Sequence, residues 1–214
     1  MDEFALKREK MVKDQLIGRG IKDNKVINAM KKIQRHLFVA EKYKEKAYDD
    51  SPVLIECSQT ISQPYMVALM TELLGLSGDE IVLEIGTGTG YQTAILAELS
   101  SYVYSLERHP LLAENARILL EELGYTNIEI ELANGSLGLM DKAPFDAILV
   151  SAGAPTVPNE LVTQLKDYGK MVIPVGDEHQ QKLMLISKRG DSYIDKSICG
   201  CVFVPLIGKR GWSK

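Results

Sequence analysis

Three glycines at alternate positions, Gly86, Gly88 and Gly90, stand between two carboxylates, Glu84 and Glu107, in a chain of 214 residues. The run before them, Ile81-Val82-Leu83-Glu84-Ile85, is β-branched and aliphatic. The run after them, Gln92-Thr93-Ala94-Ile95-Leu96-Ala97-Glu98-Leu99, carries apolar residues at helical spacing. The pattern reads as strand, tight turn, helix. Glycine suits such a turn because its backbone angles resist a Cβ and because a ligand must come close to the main chain at a helix start. Glu107 follows the next strand-like run, Tyr102-Val103-Tyr104-Ser105-Leu106. An acidic residue about 20 residues beyond the turn can accept hydrogen bonds from a ribose. Together these features predict a bound nucleoside cofactor rather than a close turn alone. Two details favour S-adenosylmethionine over a dinucleotide. The third glycine comes one residue earlier than in G-x-G-x-x-G, and Glu84 lies inside the strand end, where it could meet a cationic sulfonium but would repel a pyrophosphate.

A second candidate is Ser62, in Gln59-Thr60-Ile61-Ser62-Gln63-Pro64-Tyr65-Met66. From spacing alone it reads as an N-cap, with Pro64 in the first turn of an apolar helix running to Leu74. The competing reading is a catalytic serine. It ends a stretch from Tyr48 to Pro64 without clean periodicity, a long connection with room for one short strand, and loops of this length tend to be functional. The histidines carry less: His36 reads as surface or helix-end, and neither His109 nor His179 has metal-ligand company. Cys57, Cys199 and Cys201 form neither C-x-x-C nor a zinc spacing, so they read as free thiols, with Cys199 and Cys201 packing from one strand face. No metal is expected.

The elements that must hold these residues in place follow from periodicity. Residues 3–17 and 24–33 read as two short helices broken at Gly18-Arg19-Gly20, with Asn24 as an N-cap. They form a small N-terminal helical appendage over residues 1–50, before a main domain over 51–214. There, helices from Pro110 to Leu123 and from about Pro158 to Leu165 alternate with strands at 81–85, 102–106, 128–132, 146–150 and 170–175. Strands at 182–186 and 199–204 close the chain. Right-handed crossovers then demand a doubly wound, mostly parallel seven-stranded α/β sheet, with at least one closing strand antiparallel. In such sheets ligands bind beyond the carboxyl ends of the strands, which gathers Gly86 to Gly90, Glu107, Asn134-Gly135 and Ser151-Ala152-Gly153-Ala154-Pro155 along one edge.

The net charge of −4 and the absence of a basic stripe interleaved with aromatics argue against a large nucleic-acid footprint. The lysines near positions 7–13 and 42–46 read as solvated helix faces. No apolar run approaches a membrane span and the N-terminus lacks a signal-peptide core, so the expectation is a cytoplasmic protein without a membrane partner.

The chain resembles the protein-L-isoaspartate O-methyltransferase family along nearly its whole length. The likeness rests on Gln59 to Met66, Val82 to Ala94, Ala143-Pro144-Phe145-Asp146-Ala147-Ile148, Val172-Ile173-Pro174-Val175-Gly176 and Phe203-Val204-Pro205-Leu206-Ile207-Gly208. The glycine motif alone says only class I methyltransferase with a Rossmann-like sheet; the segments around Ser62 and Phe203 are far more specific. The resemblance implies methyl transfer from S-adenosylmethionine, leaving S-adenosyl-L-homocysteine, to the α-carboxylate of L-isoaspartyl residues in damaged proteins and peptides. The ester then closes to a succinimide that reopens partly as normal aspartate. It implies Ser62 as the catalytic residue, and because a hydroxyl can hold an already ionised carboxylate while leaving a lone pair free, Ser62 reads as orienting the acceptor rather than as a covalent nucleophile. By the same likeness the cofactor is held by Gln59, Thr60, Ile61, Ser62, Glu84, Gly86, Thr87, Gly88, Thr89, Glu107, Arg108, Asn134 and Gly135. Val202, Phe203 and Val204 would form a strand lining the peptide groove with Ser62, in an enzyme acting as a monomer.

Three positions depart from the family pattern. Leu54-Ile55-Glu56-Cys57-Ser58 replaces Pro-Ile-Gly-x-Gly, Ala133-Asn134-Gly135 replaces Gly-Asp-Gly near the adenine, and Tyr168-Gly169 replaces Gly-Gly. Asn134 keeps an acceptor but loses the charge, a difference on the order of 1 kcal/mol in a hydrogen bond to the adenine amino group. The departures support one alternative, a non-catalytic paralogue serving as a binding module. A methyltransferase acting on a small molecule is another, and on nucleic acid a weaker one, since Ser151-Ala152-Gly153-Ala154-Pro155 lacks the Asn/Asp-Pro-Pro-aromatic signature of base amino-methylation.

Overall fold

A computed structural model describes residues 3–213. In chain order the helices are α1 (Glu3–Lys10), α2 (Asn24–Lys32), α3 (Pro64–Leu74), α4 (Tyr91–Ala97), α5 (Pro110–Glu122) and α6 (Asn159–Thr163). The strands are β1 (Val53–Leu54), β2 (Thr60–Ile61), β3 (Ile81–Ile85), β4 (Tyr102–Glu107), β5 (Ile128–Leu132), β6 (Phe145–Val150), β7 (Leu165–Gly176), β8 (Gln181–Arg189) and β9 (Ser192–Cys201). The last seven form one sheet in the order β5-β4-β3-β6-β7-β8-β9, while β1 and β2 pair separately. Pairing is parallel from β5 across to β7, and antiparallel for β7 with β8 and β8 with β9. The expected doubly wound, mostly parallel seven-stranded sheet is therefore present.

Alternation along the strands divides the interior into two layers. Val82, Val103 and Leu149 face a cluster shared with α3, α4 and α5, whereas Leu83, Ile85, Ile148 and Val150 face one shared with α6 and Leu206. From β3 the chain winds toward β5, and from β6 it winds the other way to β7. The order thus reverses between β3 and β6, and a crevice opens beyond their carboxyl ends.

The N-terminal residues join the first layer. Met11, Val12, Leu16, Val26 and Met30 are buried in the same cluster as Tyr91, Ala94 and Ile95. The helical run after α1 continues as a π-helical stretch, Met11–Leu16, and a 3-10 turn, Ile17–Arg19, before Gly20 breaks it at φ 98°.

Several boundaries differ from the sequence expectations. Asp23, not Asn24, caps α2, its side chain accepting from the Lys25 amide at 2.8 Å. His36 is not a surface residue: it is 6% exposed, stacks on Phe4 at 4.2 Å and lies 2.8 Å from the Tyr48 hydroxyl. The connection over 48–64 holds the small β1–β2 pair rather than one strand. Helix α6 stops at Thr163 and β7 starts at Leu165, where the sequence suggests helix. The closing strand is Ser192–Cys201, so Val202, Phe203 and Val204 lie beyond it. Cys199 and Cys201 do share a face, both packed against the first layer.

Candidate functional site

The glycine turn after β3 is shaped by main-chain bonds. The Gly86 amide donates to the Leu106 carbonyl at 2.8 Å and the Gly90 amide to that of Thr87 at 2.9 Å. Gly86, Gly88 and Gly90 all have positive φ, and a Cβ on Gly90 would come within 3.0 Å of Leu120. Opposite, at the end of β4, the Glu107 carboxylate accepts from the Gly88 amide at 2.9 Å and from the Arg108 and His109 amides at 2.8 and 2.9 Å. An ionised carboxylate has about four acceptor sites, so Glu107 retains capacity for a ligand hydroxyl.

These groups wall a cleft enclosing about 820 Å3 of non-atom space, part of it open to solvent. One part of its wall is Gly86, Thr87, Gly88 and Thr89 with Glu107 and Arg108; another is Gln59, Thr60, Ile61 and Ser62. Ala133 and Gly135 line it beyond β5, and Val204 closes it from the C-terminal side. Gly135 is required by close approach, because a Cβ there would meet Ile85 Cγ2 at 2.3 Å.

The structure thus gathers most of the sequence candidates, and several further residues with them. Tyr91 and Gln92 follow the glycines directly, and a helix start pointing at a ligand could have flagged them. His109, dismissed for lack of metal company, lines the cleft as the neighbour of Arg108, whose Nε donates to His109 Nε2 at 3.2 Å. Ser151 and Ala152, at the end of β6, and Pro205, Leu206 and Ile207 complete the wall.

Four expectations need correction. Ser62 is not the cap of α3: that position is Gln63, with no side-chain capping bond, and Ser62 is left lining the cleft. Glu84 is fully buried beneath the turn and absent from the lining. Its Oε2 accepts from the Thr93 and Ser105 hydroxyls, each at 2.6 Å, because it faces α4 from within the strand. Burial pushes its carboxyl up to about 8, against the lowering effect of those hydroxyls and with a small push from Glu107. Glu84 therefore meets the cleft only through Ser105, whose Oγ lies 2.6 Å from that of Thr87.

Asn134 is also outside the main cleft, bordering a shallower depression with Arg108, His109 and Leu132. Its Oδ1 caps the following turn by accepting from the Ser136 amide at 3.1 Å. Val202 and Phe203 do not line the cleft. Val202 is 67% exposed, while the Phe203 amide donates to Gln181 Oε1 at 2.8 Å, fixing the segment against β8.

The donor set fits S-adenosylmethionine on an observation independent of motif. The Thr89 hydroxyl is buried in the cleft wall with no hydrogen-bond partner among the described residues, as a group awaiting a polar ligand would be. Among the described residues no His/Cys/Asp/Glu group could hold a metal ion, and no helix is long and apolar enough to cross a membrane.

The chain is similar in sequence and fold to known proteins. The family model described as Protein-L-isoaspartate(D-aspartate) O-methyltransferase matches residues 6–211. A protein-L-isoaspartate O-methyltransferase of Geobacter metallireducens is 53% identical over 210 residues, covering 98% of this chain and 97% of its own. A solved protein-L-isoaspartate O-methyltransferase superposes with a TM-score of 0.87 at 29% identity, over 95% of this chain and 67% of that one. A Plasmodium falciparum protein described as a protein-L-isoaspartate O-methyltransferase, in complex with S-adenosyl-L-homocysteine, superposes with a TM-score of 0.79 at 29% identity. That match covers 91% of this chain and 96% of the other.

Proposed function

This chain belongs to the protein-L-isoaspartate(D-aspartate) O-methyltransferase family, and from that premise we propose how its own residues divide the work of methyl transfer to an L-isoaspartyl carboxylate. The observation that carries the reading is that Ser62 and Glu107 line one cleft. In it the Gly86 to Thr89 main chain, the Thr89 hydroxyl and Glu107 hold S-adenosylmethionine, with Glu107 accepting from the ribose. Gln59, Thr60 and Ile61 cover it, Arg108 and Gly135 flank the adenine end, and Asn134 acts there through its cap on the 135–137 turn. When bound, the cofactor supplies an electrophilic methyl group on a cationic sulfur.

No strong base is needed. An exposed carboxylate with a reference pKa of roughly 3.9 is already ionised near neutral pH. Ser62 donates to one oxygen of the acceptor and leaves a lone pair free for in-line attack, whereas a lysine clamped there would lower its nucleophilicity. The apolar residues Ile61, Val204, Pro205, Leu206 and Ile207 exclude water, so alignment in a dry site supplies much of the rate, a contribution that can reach roughly 7–11 kcal/mol. Val204 is the part of the closing segment that meets substrate; Val202 and Phe203 extend the groove outward. The same reading makes the enzyme a cytoplasmic monomer acting on isoaspartyl proteins and peptides, with no nucleic-acid partner.

Labelled S-adenosylmethionine tests this. An isoaspartyl peptide should be labelled and its aspartyl twin should not. Ser62→Ala should lower kcat/KM by about 10- to 100-fold, the worth of one hydrogen bond to a charged group. An unchanged Ser62→Ala rate would remove Ser62 from the mechanism, and cofactor binding without labelling of either peptide would assign another acceptor.

A further inference from the structure

Arg35 is completely buried, and among the described residues no carboxylate forms an ion pair with it. A guanidinium without a carboxylate partner in the interior is costly to desolvate, and its Nη1 has no hydrogen-bond partner among the described residues. Its bonds run to two separated carbonyls. Nε donates to the Ala47 carbonyl at 2.6 Å and Nη2 to the Ser62 carbonyl at 2.7 Å. The guanidinium plane also sits 4.7 Å from the ring centroid of Tyr91, the residue that starts α4 after the glycine turn and lines the cleft. One side chain from the N-terminal region therefore touches both parts of the wall: the backbone of Ser62 and the aromatic that follows Gly90.

The same segment is held a second time. Asp50 Oδ1 accepts from the Tyr65 amide at 3.3 Å, its Oδ2 from the Gln63 side chain at 3.4 Å, and Arg19 forms an ion pair with it. Arg19 lies over the Tyr65 ring at 3.5 Å. Residues 62 and 63 connect β2 to α3 without a strand partner of their own, and Tyr65 lies in the first turn of α3, so these side chains hold the connection and the helix start.

We propose that Arg35 and Asp50 are positioning residues for methyl transfer, which hold the Ser62 to Tyr65 backbone so that the Ser62 hydroxyl meets the acceptor at the cofactor wall. The proposal rests on the assignment of Ser62 above. Neither side chain lines the cleft, so both act through Ser62. Arg35 suits the task because its rigid fork spans two carbonyls, which a lysine's single ammonium cannot do in the same geometry. Displacement of a catalytic group by about 1 Å can cost on the order of 100-fold in rate.

The test uses the full-length enzyme as wild type, R35K, D50N, S62A and the double variants S62A/R35K and S62A/D50N. Cofactor binding is titrated calorimetrically to count competent sites, and kcat and peptide KM are expressed per titrated site. This removes the loss of active fraction that a purely structural role would cause. R35K should bind cofactor with unchanged stoichiometry, lose about 10- to 100-fold in kcat per site, and raise the peptide KM. D50N should lose less, because its amide still accepts from the Tyr65 amide. Neither change should slow S62A further by more than about twofold, since the hydroxyl they position is already gone. Rates per site within about twofold of wild type for both single variants would overturn the proposal, as would losses that multiply with that of S62A. If R35K yields no cofactor-binding sites, D50N and S62A/D50N decide by the same criteria. Full activity in S62A would overturn the Ser62 assignment and this proposal together. A slow S62A beside fully active R35K and D50N would overturn this proposal alone.

Discussion

Glu84 shows how one residue can be chosen correctly by type and wrongly by place. The sequence puts a carboxylate inside the strand that enters the glycine turn, and the charge argument sends it to a cationic ligand. Strand β3 is buried along most of its length, so no polar alternation tells which way each side chain points. The structure turns Glu84 toward α4, under Thr93 and Ser105, with its Oε1 unpartnered. The consequence is a pH dependence of stability. Its folded pKa of about 8 exceeds the ordinary 4.5, so the folded state keeps a proton that the unfolded chain has lost. That contribution is complete below about pH 4.5, declines as pH rises toward 8 and is absent above it, a span worth up to roughly 5 kcal/mol. Glu84→Gln, neutral throughout, should flatten this slope. Urea unfolding near pH 5 and near pH 8.5 should find the variant more stable relative to wild type at the higher pH, and an identical pH slope for the two proteins would refute the buried protonated carboxyl.

At the scale of elements, two of the departures from the family pattern fall where the backbone still behaves as if glycine were present. Ser58 has φ 56° and Tyr168 φ 65°, two of the four places where the resemblance leads one to expect glycine and this chain has another residue, and Cys57, next to Ser58, has φ 57°. The backbone at these positions bears the strain of a Cβ. A left-handed non-glycine residue costs roughly 1–2 kcal/mol, and glycine returns roughly 0.5–1 through its freer unfolded chain. Ser58→Gly should therefore stabilise by about 0.5–1 kcal/mol, read as a higher urea midpoint at unchanged m-value. Tyr168→Gly should gain less, because it loses the stacking of Arg189 on the Tyr168 ring at 4.8 Å. A lower midpoint for Ser58→Gly would show that its side chain holds the loop.

The elements legible in the sequence were those with a buried face, α2 to α5 and β3 to β8. Strand β9 was not, since residues 192 to 197 are exposed on both faces of a sheet edge and show no apolar alternation. Helix α6 was overextended because the apolar pattern of Leu161, Val162 and Leu165 runs without a break from helix into strand, with all three side chains in one core layer.

For the whole molecule, the least legible feature was what the first 50 residues do. Their lysine-rich helices read as an appendage, and Arg35 follows the second of them. Nothing local announces that it crosses the interior to the Ser62 carbonyl, because that contact spans 27 positions and exists only once α3 has packed. Met11, Val12, Leu16 and Met30 share one apolar cluster with α4 and the sheet, so separating the N-terminal helices would expose the core of both parts. The expected consequence is a single cooperative unfolding transition. Trp212, whose indole donates to the Gly153 carbonyl at 3.1 Å beyond β6, reports on the C-terminal wall of the cleft by fluorescence. Far-ultraviolet circular dichroism weighs all the helices, including the N-terminal ones. The two melting curves should coincide, and two separated midpoints would show an independently melting N-terminal region. Cofactor at about 100 times its Kd should move both curves together by about 5–10 °C, since binding adds roughly 2.7 kcal/mol and each kcal/mol shifts a chain of this size by about 2–4 °C. A shift confined to the Trp212 signal would mean that the N-terminal helices do not feel the cofactor site. The Arg35 contacts to Ser62 and Tyr91 lead to the opposite expectation.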